Sequence, residues 1–332
     1  MGSGRDTPHP YASLGPEQIL AALENLGYSC DGRLLTLNSY ENRVYRVGVD
    51  DGDAVVAKFY RPGRWSDDAI LEEHAFAAEL AANDLPVVAP LPAEGRTLHV
   101  YQDFRYSVSP CMGGRAPDLE DHQLLRQLGR LVARLHLTGE IRDFQHRPAL
   151  DIDSYGYESR EYLLASGLMP PELAEVYRGV TKHVLANVEA CYERAGRTRY
   201  IRLHGDFHIG NVLVDEDRLH IVDLDDCRSA PAVQDLWMFL SGDRDEQTGQ
   251  LGILLEGYEE FRRFDARELN LVEALRTLRI MHYAAWLARR RDDPAFEAAF
   301  PWFGSQRYWE EHLLSLREQV ALTEEPPLAW FA

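Results

Sequence analysis

Four side chains in this sequence could do chemistry together. Asp206 and Asn211 stand five positions apart in Leu203-His204-Gly205-Asp206-Phe207-His208-Ile209-Gly210-Asn211-Val212-Leu213. Asp223 follows in His220-Ile221-Val222-Asp223-Leu224-Asp225-Asp226, and Lys58 ends the run Val55-Val56-Ala57-Lys58. A carboxylate, an amide and a second carboxylate at these intervals suit phosphoryl transfer, where the protein has little covalent chemistry to do. That reaction needs a group to receive the acceptor hydroxyl's proton, oxygen ligands for magnesium and a cation on the phosphates.

Each piece also has an ordinary reading. His204-Gly205-Asp206 alone is a turn, because glycine takes positive φ and aspartate caps it. Val222-Asp223-Leu224-Asp225-Asp226 alone is a strand end running into solvent. A lysine at a strand end is usually just solvated. Taken in order, though, the run has the arrangement of a kinase catalytic loop: Asp, Asn five residues on, then a metal-binding Asp after a short hairpin. Lys58 gains weight if a carboxylate follows it. Glu72 and Glu73 both lie on the next expected helix; one of them could pair with Lys58, and the other would be a solvated surface charge.

The elements that must position these groups follow from periodicity. Pro16 to Leu26 reads as a short helix with Gly27 after its end. Leu34–Leu37, Val44–Val47 and Ala54–Phe59 are β-rich runs, with a turn over Asp50-Asp51-Gly52-Asp53. Ser66 to Asn83 reads as a helix capped by Ser66, with Asp67 and Asp68 suiting its N-terminus. Thr97–Tyr101 and Phe104–Ser109 complete a five-stranded sheet, which Pro110-Cys111-Met112-Gly113-Gly114 breaks. From Asp118 the pattern turns helical: Leu124, Leu128, Leu131, Val132 and Leu135 repeat at helical spacing with Gly139 at the end. Further helices are expected over Tyr155–Ala195, from Pro231, through Tyr258, and over Leu269–Arg290 and Tyr308–Leu322. The fold class is therefore α+β: an N-terminal sheet lobe over 1–110, a hinge at 111–114 and a helical lobe over 115–332.

Composition excludes some partners. A chain of 332 residues has ample length for a core, and a formal net charge of -19 argues against nucleic acid and against an anionic membrane surface. It would equally permit a cationic acceptor. Cys30, Cys111, Cys191 and Cys227 lie far apart, with no zinc spacing, so free cytosolic thiols are expected. Leu269 to Leu287 is interrupted by Glu273, Arg276, Arg279 and His282 and is not a membrane span. Met1–Pro10 is polar and reads as a disordered leader or a cloning remnant, and the tail Pro326–Phe331 as a surface segment. His122, His183, His220 and His282 read as surface or packed histidines, His208 as a loop-ordering group, and Trp237, Trp286, Trp302 and Trp309 as core.

Five stretches together carry a resemblance. They are Asn38-Ser39-Tyr40-Glu41-Asn42-Arg43-Val44-Tyr45, Val56-Ala57-Lys58-Phe59-Tyr60-Arg61-Pro62, His204-Gly205-Asp206 to Asn211, Val222–Asp226, and Pro231-Ala232-Val233-Gln234-Asp235-Leu236-Trp237. The chain resembles the bacterial stress response kinase A group, within the aminoglycoside phosphotransferase and choline kinase superfamily. The resemblance runs from about residue 15 to Pro327 and implies a two-lobed protein-kinase-like fold. It implies Asp206 as catalytic base, Asn211 and Asp223 as magnesium ligands, and Ser39 and Lys58 on the ATP phosphates. It favours Glu73 over Glu72 as the partner of Lys58, and implies Leu213 beneath the adenine. His204 would order the loop and Asp235 would cap its backbone from beneath. Phe207 stands where the group usually has cysteine and Ile209 where it has alanine, which reads as two packing changes.

The function so implied is a cytoplasmic, monomeric Ser/Thr protein kinase of the stress response, using MgATP and phosphorylating itself. A small-molecule kinase acting on an amino alcohol, sugar or aminoglycoside is the second reading. A nucleotide-binding regulator without catalysis is the third, and the joint presence of Lys58, Asp206, Asn211 and Asp223 speaks against it.

Overall fold

The structure, a computed structural model, describes residues 11–50, 52–216 and 218–330. The expected leader over Met1–Pro10, Asp51 of the expected turn and Phe331 of the tail lie outside the described residues. The chain opens with α1 (Pro16–Glu24), β1 (Cys30–Thr36), β2 (Arg43–Val49), β3 (Val55–Phe59), α2 (Asp67–Ala82), β4 (His99–Tyr101) and β5 (Phe104–Pro110). Next come α3 (His122–Gly139), α4 (Glu158–Ala165) and α5 (Pro171–Ala195). Short strands β6 (Ile201–Leu203), β7 (Val212–Asp215), β8 (Arg218–Ile221) and β9 (Arg228–Ala230) lead into α6 (Gln234–Trp237) and α7 (Arg244–Glu259). The chain then runs through α8 (Val272–Arg289), α9 (Phe296–Ala299) and α10 (Gln306–Glu324). This is the α+β, two-lobed kinase-like arrangement: an antiparallel sheet lobe and a mostly helical one. No helix among the described residues is long and apolar enough to cross a membrane.

Two compact units form. The first runs to Pro117 and takes in Gln145–Arg147 and Gly210–Asp225; the second holds the remaining segments. In the first, the antiparallel sheet has the order β1-β2-β3-β5-β4. Strand alternation divides its residues between two faces. Ala57 and Phe59 of β3 and Tyr106 and Val108 of β5 bury against Ile19, Ala22 and Leu23 of α1. Phe59 stacks on Tyr106 with centroids 5.2 Å apart. The intervening residues Val56, Lys58, Ser107 and Ser109 therefore turn to the other face, where they line a cavity. On that face His74 of α2 bonds Tyr60 at 2.7 Å, and Tyr60 bonds Ser107 at 3.1 Å. Ser66 caps α2 by accepting from the Ala69 N–H at 3.2 Å.

In the second unit α3 packs along α7, and α5 along α10. The leucine stripe of α3 is buried throughout. Gly139 does more than end this helix. A Cβ there would lie 1.9 Å from the Arg202 carbonyl oxygen, so only glycine lets α3 approach β6 this closely. That approach matters because β6 leads straight into His204-Gly205-Asp206. Trp309 and Trp237 are core, as their sequence reading held, but Trp302 is 45% exposed and Trp286 only partly buried. Trp302 lies beyond the end of α9 and meets Phe300 and Phe303 in T-shaped contacts and Tyr308 at a tilt.

The entry to α6 carries a buried carboxylate. Glu268 accepts from the Val233 N–H at 2.9 Å. Burial is the largest influence on its carboxyl and drives it up to about 7, against the lowering effects of the Val233 N–H and Arg262. Unfolded, the same group titrates near ~4.3. Between those values the folded chain holds a proton that the unfolded chain has lost, so stability falls as pH rises through the window. Urea midpoints should decline from about pH 4 to about pH 7 in the wild type and flatten in Glu268→Gln. Equal slopes in the two proteins would remove Glu268 as the cause.

Candidate active site

Lys58 reaches the cavity face from β3, between Val44 of β2 and Ser107 of β5. Its ammonium lies 3.0 Å from Asp225 Oδ1, 3.2 Å from Asp223 Oδ1 and 3.5 Å from Glu73 Oε1. Burial works against the charge of Lys58, but Asp225, Glu73 and Asp223 outweigh it and hold the amine protonated well above its usual range. Glu73 shows the opposite balance: burial raises its carboxyl, and Lys58 and Arg147 only partly offset it. Arg64 pairs with the other oxygen of Asp225. The Arg147 guanidinium lies 4.0 Å from Glu73, stacks over Trp65 at 4.0 Å and donates to the Asp225 carbonyl.

Glu72 is the departure from the sequence reading. It is not a solvated charge. Its carboxylate accepts three consecutive backbone N–H groups, from Gln145 at 2.7 Å, His146 at 2.8 Å and Arg147 at 2.9 Å. Adjacent glutamates on α2 thus do two jobs. Glu73 holds the lysine, and Glu72 fastens the segment that delivers Arg147.

Asn211 and Asp223 are brought together by the hairpin of β7 and β8. Val212 pairs with Ile221, and the Val222 N–H donates to the Asn211 carbonyl at 3.1 Å. Asp223 takes a left-handed φ of 60°, a conformation that a β-carbon makes costly, so its carboxylate is aimed by a backbone held under strain. The cavity, about 280 Å³, is lined by Lys58, Glu73, Asn211 and Asp223, together with Asn38 and Ser39 of the β1–β2 link. Val44, Val56, Met112, Leu213 and Val222 supply apolar walls that suit a flat base. Asn42 is not among these residues; its amide oxygen accepts from the Arg61 N–H at 3.1 Å and ties the link to the end of β3. Asn211 and Asp223 carry hard oxygen donors of the kind magnesium takes.

Asp206 belongs to the second unit. Its loop is fixed by Asp235, which is fully buried. Asp235 accepts from the His204 N–H at 2.8 Å and the Gly205 N–H at 2.9 Å, while Gln234 donates to the Gly205 carbonyl at 2.9 Å. His136 lies 3.3 Å from Asp235 through Nε2 and 2.9 Å from the Tyr258 hydroxyl through Nδ1. Burial holds that imidazole neutral, which assigns its proton to Nε2. Gly205 sits at a φ of 83°, and a Cβ there would lie 2.4 Å from the Asp226 carbonyl oxygen. Phe207 packs inside, stacked on His204 at 4.7 Å, whereas Ile209 is 39% exposed and is not a packing position.

Asp206 itself pairs with Arg279 of α8 at 2.6 Å and lies 3.5 Å from His208. Burial pulls its carboxyl upward, but His208 and Arg279 outweigh this and hold it down at about 2. Nothing in the sequence reading singled out Arg279.

Each unit carries groups of the kind that phosphoryl transfer uses: a lysine–glutamate pair and an Asn/Asp hairpin in the first, and a carboxylate on a tightly held Gly turn in the second. The family model described as "Phosphotransferase enzyme family" matches residues 34–272. The chain is 42% identical over 323 residues to the serine/threonine protein kinase RdoA of Salmonella typhimurium, covering 97% of this chain and 98% of that protein. It is likewise 42% identical over 318 residues to stress response kinase A of Escherichia coli K12, covering 96% of each. The chain belongs to this phosphotransferase family, in its stress response kinase A group. Among solved structures, the amicoumacin kinase hAmiN in complex with AMP-PNP, Ca2+ and Ami matches at a TM-score of 0.72. It is 20% identical, covering 95% of this chain and 96% of that one, and shares the fold.

Two results are expected. Asp235→Ala leaves the buried His204 and Gly205 N–H groups without acceptors, at about 1–3 kcal/mol each. Chemical denaturation should show a loss of that order, and a loss within error of zero would mean that the carboxylate is dispensable. Glu72→Ala should speed amide hydrogen exchange at Gln145–Arg147 by about tenfold or more. Unchanged exchange there would show the segment to be held by other contacts.

Proposed function

We propose that this kinase transfers the γ-phosphoryl group of ATP to serine and threonine hydroxyls of protein, including its own. The observation that carries the reading is the Lys58 ammonium held beside Glu73 and Asp223 in a cavity that Asn211 also lines. That is a cation and an oxygen donor set suited to a metal-bound triphosphate. The protein acceptor is supported by the name of the Salmonella relative, and a stress-response role by the name of the Escherichia coli one. An ATP-consuming reaction by a monomer fits a cytoplasmic setting. The first unit would be the nucleotide-binding lobe, residues 111–114 its hinge, and the helical unit the lobe that presents the acceptor.

Asp206 orients the acceptor hydroxyl and takes its proton. A carboxyl held at about 2 is a weak base. That is no obstacle, because in a loose transition state the proton leaves late. Lys58 holds phosphate oxygens, with Glu73 fixing the direction of its amine. Ser39 donates to phosphate from the β1–β2 link, and Leu213 supports the base. Asn211 and Asp223 would hold magnesium, which when bound offsets charge developing on the transferred group.

Asp206→Ala and Asp223→Ala should each lower kcat by about 10²–10⁴-fold while the circular dichroism spectrum stays native. Lys58→Ala should act chiefly on ATP affinity. The test is γ-labelled ATP with a panel of proteins, amino alcohols and aminoglycosides, Asp206→Ala being the blank. Ser/Thr label absent from the blank is the expected result. Transfer to the small acceptors in preference to protein would replace the reading, and ATP binding with no transfer would leave a regulator.

A further inference from the structure

We propose that Arg279 selects the acceptor by charge. It keeps an ammonium group from settling beside Asp206, so hydroxyls that carry a cation close by are poor acceptors. This rests on Asp206 being the group that meets the acceptor hydroxyl. Arg279 Nη1 lies 2.6 Å from Asp206 Oδ1, a charge-assisted distance, and His208 Nε2 lies 3.5 Å from the other oxygen. Both side chains are partly exposed, Arg279 at 42% and Asp206 at 25%, although Asp206 Oδ1 itself is out of reach of solvent. The next carboxylate, Asp226, is matched in the same way by Arg228 at 2.8 Å, and Arg228 also meets Tyr155, whose ring stacks on His282 at 4.0 Å. Both carboxylates in this corner of the second unit thus face an arginine.

The consequence is chemical. A hydroxyl within hydrogen-bond reach of Asp206 lies within a few ångströms of the Arg279 guanidinium. An amino alcohol or aminoglycoside would bring its ammonium, one or two carbons from that hydroxyl, against a like charge. To hold such a cation, a site needs a carboxylate whose charge is not already matched. A serine or threonine inside a polypeptide carries a neutral amide at the corresponding place and meets no such repulsion. The net charge of -19 draws polycations toward the chain as a whole, and Arg279 opposes them where the acceptor must sit.

The probe is kanamycin, in which the hydroxyls are flanked by ammonium groups, titrated calorimetrically into the full chain at about 0.15 M salt. There the Debye length is about 8 Å and distant charges are screened. Arg279→Glu should bind at least about tenfold more tightly than wild type, Arg279→Gln about threefold, and Arg279→Lys no more tightly than wild type. Arg307→Glu makes the same change in net charge on exposed α10, where Arg307 pairs with Glu311, and should gain little. An equal gain from Arg307→Glu, or none from either Arg279→Glu or Arg279→Gln, overturns the proposal. So does wild-type binding as tight as that of Arg279→Glu. The measurement needs no phosphoryl transfer, so a wild type that labels no serine or threonine would count against the proposed reaction alone.

Discussion

A buried ammonium fixes the architecture of the first unit. Lys58 is almost out of reach of solvent, and an isolated charge so placed would lose its proton. It keeps it because three carboxylates converge on it from two separate parts of the chain: Glu73 from α2, and Asp223 and Asp225 from the turn that follows β8. Those carboxylates would in turn repel one another. Arg64 and Arg147 answer them, giving three cations, Lys58, Arg64 and Arg147, against three anions. Within such a cluster the buried members depend on one another, since removing one partner leaves a buried charge unmatched.

The same balance explains how one site could serve a polyanionic substrate. Asp223 is the exposed member of the cluster, its side chain 53% open, while Glu73 and Asp225 are buried. On the proposed reading Asp223 turns to magnesium. The remainder then has three cations against two anions, an excess of one positive charge facing the phosphates. The left-handed backbone at Asp223 suits a residue that must reach outward from a hairpin end. A second, separate balance operates in the other unit, where Arg279 and Arg228 match Asp206 and Asp226. The acidity of the whole chain is therefore a poor guide to the charge that a bound molecule meets.

Much of this was legible in the sequence because it is encoded locally. The sheet lobe followed from short β-branched runs broken by turns, and α2 from the Ser66 cap and its acidic first turn. Asp206, Asn211 and Asp223 lie within one short stretch whose hairpin is implied by its own pattern. Lys58 needed a partner from another element, and residue chemistry alone left Glu72 and Glu73 equivalent; position on the helix separates them in the structure. What escaped was long-range. Glu72 accepts from a segment far along the chain, and three backbone N–H groups leave no mark on side-chain composition. Gly139 looked like a helix stop but serves a close approach to Arg202, because a steric need at one carbonyl is invisible without the fold. Trp302 and Ile209 were read as interior from hydrophobicity, which cannot distinguish a core position from an exposed one at a helix end or loop.

If Arg279 selects the acceptor as proposed, acceptor choice is harder to read from sequence than phosphate binding. The groups that meet a nucleotide are constrained by one ligand and by each other, so they recur at fixed intervals. The group that meets Asp206 on its other side comes from α8, in a helix whose sequence reads as an ordinary amphipathic stretch with scattered arginines. Its spacing from Asp206 is set by how α8 packs rather than by any motif. A protein can keep the fold, as the match at 20% identity to an amicoumacin kinase illustrates, and on the proposed reading a single arginine on a packed helix would alter which hydroxyl can approach Asp206. The cluster around Lys58 is balanced and buried, whereas on the proposed reading acceptor choice rests on Arg279, a partly exposed residue outside that cluster.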